Sequence, residues 1–269
     1  MLVIGEKINA SNRLVAEAII ARNEGYIAGL AKAQADAGAD FIDVNVGTAK
    51  QTRQEQMAAM EWAVEAVQTA TDKPLAIDSD IPEVIETGMR KYGKEELVIN
   101  SVNAEPEKLE AIGHLAGGRQ VRLVALAMSA EGIPPTAEER LATCETIMTY
   151  LTRLGVSEEQ VYFDPLVLPV SVDSGQALTT LKTLERIKVR YPQAKTVMGL
   201  SNVSYGLPNR KLINRAFLLM AAYVGLDAAI LDPLDAKAMS LIKAADILVA
   251  KDPQCRRYIR AYRNGTLMA

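Results

Sequence analysis

The chain of 269 residues is short of several residue types, and each shortage argues against a class of protein. It has a single histidine, His114, so neither a Ser-His-Asp triad nor a histidine-rich metal site is expected. Aromatic residues make up only 5% of the chain and no basic block is present, which argues against nucleic-acid binding. The apolar runs have the length of strands, well short of the ~18 apolar residues that a membrane-spanning helix needs.

Cysteine is also scarce, with only Cys144 and Cys255, which lack CxxC spacing. This usage is typical of reduced thiols in a cytoplasmic protein. The first residues, MLVIGEKINAS, reach Glu6 after a very short apolar run, which predicts no signal peptide. We therefore expect a cytoplasmic protein that has neither a membrane nor a nucleic-acid partner.

What the chain does contain is eight short apolar runs, separated by segments with apolar residues at helical spacing. The runs cover residues 2–6, 41–47, 75–80, 97–103, 122–128, 161–165, 196–202 and 228–233. Continuously apolar strands that alternate with helices indicate a parallel sheet. Eight such units predict a closed (β/α)8 TIM barrel that forms a single domain over residues 1–269. An open doubly wound sheet is the alternative, although no G-x-G-x-x-G motif follows a run.

Polar residues end almost every run, at the edge where such barrels place their active sites. They are Glu6, Asn9, Asp43, Asn45, Asp78, Asp80, Asn100, Asn103, Ser129, Asp164, Ser201, Asn202, Asp232 and Asp235. Carboxylates and carboxamides suit a flat heterocycle that carries amino and amide groups. Few basic residues and no glycine-rich cradle accompany them, so a bare phosphate fits badly.

Two other interpretations of these polar residues stay open. Any single Asp or Asn at a strand end can cap the next helix or bond to loop amides. Four of the carboxylates, Asp43, Asp78, Asp164 and Asp232, could together hold a divalent metal. With so little histidine, that metal would be Mg²⁺ rather than Zn²⁺.

Seven segments in register resemble a known family over nearly the whole chain. They are IGEKINAS, DVNVG, AMEWAVEAVQ, LAIDSD, INSVNAE, YFDPLVLP and GLSNVSYGLPNRKLINRAFL. They are similar to the methyltetrahydrofolate:corrinoid protein methyltransferases, of the pterin-binding barrel group. Dihydropteroate synthase and the folate domain of cobalamin-dependent methionine synthase belong to the same group.

The resemblance implies an enzyme that moves a methyl group between N5 of tetrahydrofolate or 5-methyltetrahydrofolate and the cobalt of a corrinoid, with the direction open. The chain has no Asp-x-His-x-x-Gly cobalamin signature, so the corrinoid (cobalamin) is expected on a separate partner protein. The resemblance also implies a homodimer. The alternatives are a dihydropteroate synthase-like enzyme and a non-catalytic folate-binding module that docks a corrinoid protein. GLSNVSYG in place of a lysine-containing loop, and no histidine after residue 114, argue against the synthase.

Site roles also follow from the resemblance, residue by residue. Asn202 is the expected catalytic residue, because a carboxamide can donate to unprotonated N5 or accept from protonated N5. Three residues match positions that bind the pyrimidine side of the pterin: Asp78, Asn100 and Asp164. Gly199 and Ser201 would shape the floor near N5, and Arg210 would bind the pterin or the glutamyl tail. Asp43 and Asn45 would hold these residues in position without touching the ligand. No metal is expected.

Overall fold

The eight runs form eight parallel strands that close into one barrel in a computed structural model, which describes residues 1–94 and 96–268. The strands are β1 (Leu2–Asn9), β2 (Phe41–Asn45), β3 (Leu75–Asp78), β4 (Leu97–Val102), β5 (Arg122–Leu126), β6 (Val161–Asp164), β7 (Lys195–Gly199) and β8 (Ala228–Leu231). They are hydrogen-bonded in sequence order, and β1 pairs with β8. The predicted TIM barrel is therefore confirmed, and the open sheet was the wrong alternative.

Helices cover the outside of the barrel. They are α1 (Arg13–Ile20), α2 (Glu24–Asp36), α3 (Arg53–Ala70), α4 (Pro82–Tyr92), α5 (Pro106–Ala116), α6 (Ala137–Arg153), α7 (Gln176–Arg190), α8 (Arg210–Val224), α9 (Ala236–Leu248) and α10 (Arg256–Arg263). A 3₁₀ turn at Leu200–Ser204, here called the β7 turn, leads from β7 toward α8. In the part of the chain that the structure describes, no helix is both long and apolar enough to cross a membrane.

Two helix starts show how the sequence fixes the element boundaries. A capping box opens α6: Thr136 accepts from the backbone N–H of Glu139, whose carboxylate accepts from the backbone N–H of Thr136. Thr52 and Glu55 form the same motif at the start of α3. Each box satisfies two backbone donors that the first helical turn leaves free.

The strands alternate between an inner and an outer face, with apolar side chains on both. One apolar cluster fills the barrel interior and contains side chains from all eight strands, among them Ile4, Phe41 and Val197. The outward-facing side chains, such as Ile42 and Met198, pack against the helices. This two-sided burial explains why the runs are continuously apolar rather than alternating.

The inward positions change from apolar to polar near the carboxyl ends of the strands. Ala76 lies in the interior cluster, and Asp78, two residues further along β3, also faces inward. The register places Asn45, Asp78 and Asn100 side by side on β2, β3 and β4. Alternation along the strands thus turns one end of a packed barrel into a polar mouth.

A β-bulge interrupts β1 between Gly5 and Ile8, where three residue steps on β1 match two on β2. The run 2–6 predicted a shorter strand, because the bulge brings two charged residues, Glu6 and Lys7, into what is still strand. Gly5 is required here, since a Cβ atom would lie only 2.5 Å from Oε1 of Gln34. That same oxygen accepts a hydrogen bond from the backbone N–H of Lys7 and anchors the bulge to α2.

Candidate functional site

A ring of carboxylates and carboxamides on β2, β3 and β4 forms one side of the barrel mouth. Asn45 donates to Asp78 over 2.8 Å, and Asn100 donates to Asp43 over 3.2 Å. Asp43 and Asn100 are buried, with exposed fractions of 1% and 7%. Because the four side chains bond to one another, their acceptor atoms are held in fixed positions before any ligand arrives.

The two carboxyl groups in this ring share a low-dielectric site. Burial raises the pKa of Asp43 well above its usual range, and the neighbouring Asp78 carboxylate raises it further. Burial also raises the pKa of Asp78 to about 6, although hydrogen bonds from Asn45 and Asp43 oppose the shift. Two carboxyl groups this close in a desolvated site each disfavour ionisation of the other. A ligand that donates N–H groups to these oxygens would stabilise the ionised carboxylates, for which the ring itself provides too few donors.

Asp164 at the end of β6 provides a further buried carboxyl group. Burial raises its pKa to about 7, while the backbone N–H groups of Leu166 and Gly199 lower it. Beneath it, the fully buried guanidinium of Arg140 donates to the carbonyl oxygens of Pro165 and Leu166, over 3.0 and 2.9 Å. Arg140 thereby fixes the loop that follows Asp164, and its positive charge also favours the ionised carboxylate.

The opposite side of the mouth is built differently, from the β7 turn. Asn202 lies in this turn and is exposed, and its side chain has no hydrogen-bond partner among residues 1–94 and 96–268. Gly199 faces inward two residues after Val197 of the interior cluster. A Cβ atom on Gly199 would lie 3.2 Å from Nδ2 of Asn202. The carboxamide therefore lies over the barrel mouth, above a glycine that leaves room for it.

Bonds from both flanks hold the β7 turn. The Ser201 hydroxyl donates to Oε1 of Glu6 on β1 over 2.7 Å. From α8, Arg210 donates to the carbonyl oxygen of Ser201 over 2.6 Å and to the Ser204 hydroxyl over 3.0 Å. The turn is thus fixed by its neighbours, while the Asn202 amide makes no hydrogen bond to the residues that the structure describes.

The structure brings most of the expected site residues together at the mouth. Asp78, Asn100 and Asp164 lie there with Gly199, Ser201 and Asn202, and Asp43 and Asn45 bond to the first two. Arg210 stands apart, because its guanidinium bonds to the β7 turn. The roles of all nine residues in binding or catalysis stay predictions.

Sequence reasoning did not anticipate the contacts made by Glu6 and Arg140. A carboxylate at the end of β1 was a visible signal for Glu6, but the bulge that directs it toward Ser201 was not. Arg140 carries no local signal beyond its place in the first turns of α6. In the described ranges 1–94 and 96–268, no three His, Cys, Asp or Glu side chains have the spacing of a metal site.

Comparison with known sequences gives two kinds of match. The profile of the family described as "Pterin binding enzyme" matches residues 5–232. A methylcorrinoid:tetrahydrofolate methyltransferase from Eubacterium limosum is 35% identical over 99% of this chain and 98% of its own length. Methionine synthase from Mycobacterium tuberculosis is 29% identical over 94% of this chain, which spans only 22% of that longer protein.

Solved structures show the same architecture at low sequence identity. A dihydropteroate synthase from Yersinia pestis with a bound pterin–sulfa conjugate superposes with a TM-score of 0.68 at 18% identity, covering 93% of this chain and 92% of that one. The dihydropteroate synthase from Stenotrophomonas maltophilia gives a TM-score of 0.69 at 18% identity, with 94% and 93% coverage. These two matches establish the shared fold.

Proposed function

The chain belongs to the pterin-binding enzyme family, and from that premise we propose that it is a methyltransferase acting between a methylcorrinoid and tetrahydrofolate. The corrinoid is carried by a separate partner protein. The relative of 35% identity is named for transfer from methylcorrinoid to tetrahydrofolate, and we assign the same direction to this chain. The reverse reaction uses the same groups.

One observation carries this proposal: the Asn202 carboxamide, which has no hydrogen-bond partner among residues 1–94 and 96–268, lies over a mouth lined by buried and half-buried acceptors. The ring at Asp78 and Asn100, with Asp164 beyond it, fits the amino and amide N–H groups of a pterin. Bound in this way, the pterin ring places its other edge, which includes N5, toward the β7 turn. The Asn202 amide is then the polar group within reach of the reacting nitrogen.

The chemistry required of the chain is modest. N5 of tetrahydrofolate attacks the methyl carbon, the carbon–cobalt bond breaks, and its electron pair stays on the cobalt as cob(I)alamin. N5 briefly carries both the methyl group and its hydrogen, and this proton then leaves to solvent. Asn202 accepts a hydrogen bond from N5–H while positive charge develops, and it can donate to N5 once the proton has left. The rest of the mouth orients the ring.

Apolar side chains beside Asn202 offer a surface for the corrinoid-bearing partner. Tyr205 and Val172 are 67% and 83% exposed. Their two loops are joined, because Ser171 donates to the carbonyl oxygen of Tyr205 over 2.6 Å and Val170 donates to that of Val203 over 3.0 Å. We assign this joined surface to the partner, since a corrinoid must approach Asn202 face-on.

Homodimer formation and a cytoplasmic location are further parts of the proposal. An exposed apolar stripe on α8 supports the dimer; it contains Leu212, Leu219, Met220 and Tyr223. Two free cysteines, one of them buried, are typical of a reducing compartment. Sedimentation equilibrium tests the dimer: Tyr223→Glu should yield monomers, whereas a wild-type protein that sediments as a monomer would overturn it.

The first experiment is spectrophotometric methyl transfer from methylcobalamin to tetrahydrofolate, followed by the appearance of cob(I)alamin under anaerobic conditions. We expect turnover by the wild type and a loss of about 10²-fold or more in Asn202→Ala, the effect of removing one preorganised hydrogen bond. Tetrahydrofolate binding by calorimetry should change little, because the ring contacts remain.

Three other results would each point elsewhere. Unchanged turnover in Asn202→Ala would remove the proposed role of the carboxamide. Tight folate binding without turnover, with either free or protein-bound corrinoid, would indicate a binding module. Condensation of p-aminobenzoate with a pterin pyrophosphate would indicate a dihydropteroate synthase-like enzyme.

A further inference from the structure

The position of Asn202 depends on the β7 turn. Its side chain has no hydrogen-bond partner in the described ranges, so only its backbone fixes where the amide lies. Ser201, the preceding residue, is held at two atoms. Its carbonyl oxygen accepts from Arg210, and its hydroxyl donates to Glu6. The bond to Glu6 joins the turn to β1.

The bulge in β1 places Glu6 for this contact. Its neighbour Lys7 is held at its backbone and at its side chain. The backbone N–H donates to Oε1 of Gln34, and Nζ forms an ion pair with Oδ2 of Asp232 over 3.1 Å. These contacts leave little freedom for the strand on either side of Glu6. The half-buried carboxyl group thus extends past β8 from a fixed strand to the turn after β7.

Several charged groups surround Glu6. Asp232 and Asp43 are like charges, whereas Lys7 and Arg210 are opposite charges. Burial raises the pKa of the Glu6 carboxyl group, and the Ser201 hydrogen bond lowers it. Because burial disfavours the charged form of Glu6, its carboxylate does not favour stability. We therefore expect it to have a functional role.

We propose that Glu6 is a positioning residue for Asn202, acting through the Ser201 hydroxyl. The inference rests on the proposed function, because it concerns the same methyl transfer. Glu6 fixes the β7 turn so that the carboxamide stays over the mouth before substrate binds. Its removal slows the chemical step, whereas tetrahydrofolate is still held by the carboxylates on β3 and β6.

The test is a double-mutant cycle on kcat for methyl transfer. Glu6→Ala should lower kcat by about tenfold, the effect of one lost hydrogen bond, with KM for tetrahydrofolate changed less than about twofold. Ser201→Ala should do the same, and the two together should cost no more than either alone. Glu6→Gln keeps an oxygen that accepts from Ser201 and should recover most of the loss. Glu17→Ala, an exposed glutamate on α1, is the matched control.

The Asn202→Ala background separates positioning from direct contact. If Glu6 acts only through Asn202, adding Glu6→Ala to Asn202→Ala should change kcat by less than about twofold. A further tenfold loss would show that Glu6 touches the substrate itself and would overturn the proposal. Equal losses in kcat and in tetrahydrofolate affinity, with a lower melting temperature, would show a purely structural role and would also overturn it.

A measurement that does not need turnover keeps the two proposals distinguishable. The side-chain amide resonances of Asn202, assigned by their absence in Asn202→Ala, should shift and broaden in Glu6→Ala and return in Glu6→Gln. That result would support the positioning role even if the wild type transferred no methyl group. Unchanged Asn202 resonances in Glu6→Ala would overturn it whatever the enzyme assay shows.

Discussion

The two sides of the barrel mouth are built in different ways. On β2, β3 and β4, four polar side chains lie on strands and bond to one another in a ring, of which Asp43 and Asn100 are buried. On the β7 side, Asn202 lies in a short turn and is exposed, and the contacts that hold it are those of its neighbour Ser201 among residues 1–94 and 96–268. Under the proposed function, the strand side would bind the pterin ring, and the β7 side would act on the reacting nitrogen.

The largest effect on tetrahydrofolate binding is expected from a change on the strand side. Asp78→Asn replaces one of the two carboxylate oxygens with an NH₂ group. In the proposed complex this donor would face the N–H donors of the pterin. We expect tetrahydrofolate affinity to fall about 10- to 100-fold, as for the loss of hydrogen bonds to a charged group. Calorimetric titration measures it.

Its matched control is Asp80→Asn, at the exposed aspartate two residues further along. That variant should bind tetrahydrofolate like the wild type. Equal weakening in both variants would mean that general charge, rather than the ring geometry, holds the ligand.

Acidity should weaken binding at the strand side, because the pKa values of Asp78 and Asp164 are raised to about 6 and about 7. In the proposed complex the pterin donates to ionised carboxylates, so we expect tetrahydrofolate affinity to fall as pH drops through these values. Between pH 8 and pH 6 we expect about a tenfold loss of tetrahydrofolate affinity. Asp164→Asn should bind more weakly at pH 8 and show a flatter profile. A wild-type affinity that rises toward pH 6 would contradict this.

Acidity should have the opposite effect on stability: the same carboxyl groups should make the folded protein more stable as pH falls. A raised pKa in the folded state means that folded protein holds more protons than unfolded protein between about pH 4 and pH 7. The contribution of Asp164 to the free energy of unfolding is therefore present at low pH and is lost as pH rises through about 7. Urea unfolding at pH 5 and pH 8 should show a smaller decrease for Asp164→Asn than for wild type. An identical decrease would show that Asp164 titrates normally.

The smallest effect is expected on the exposed β7 side, at Tyr205. Tyr205→Ala should lower kcat/KM several-fold with a protein-bound corrinoid, because the apolar contact area is reduced. With free methylcobalamin the rate should stay within about twofold of wild type, since Tyr205 is not bonded to the ring residues. Leu248→Ala, an exposed leucine on α9, is the control. An equal loss with both corrinoids would place Tyr205 in the chemical step.

Sequence could predict the strand side far better than the β7 side. Buried parallel strands have a fixed alternation, so residues that end the apolar runs, such as Asp78 and Asn100, must reach the mouth together. The partner of Ser201 depended on a bulge in β1, which no composition or periodicity signals. Arg140 was equally hidden, because a buried arginine that bonds to carbonyl oxygens of a distant loop leaves no local pattern.

The one-residue bulge in β1 also has a consequence for how this protein can change. Below the bulge, Ile4 keeps the inward phase of the barrel floor, and above it Asn9 pairs with Asn45 at the mouth. The inward–outward alternation of side chains is therefore shifted by one residue between the two halves of the strand. Deleting a single residue between Gly5 and Ile8 would restore an unbroken alternation while taking away the slot that Glu6 uses. A shortened variant of this kind could keep a closed barrel and yet lose its link to the β7 turn. A single deletion at the bulge could therefore change the site without changing the fold.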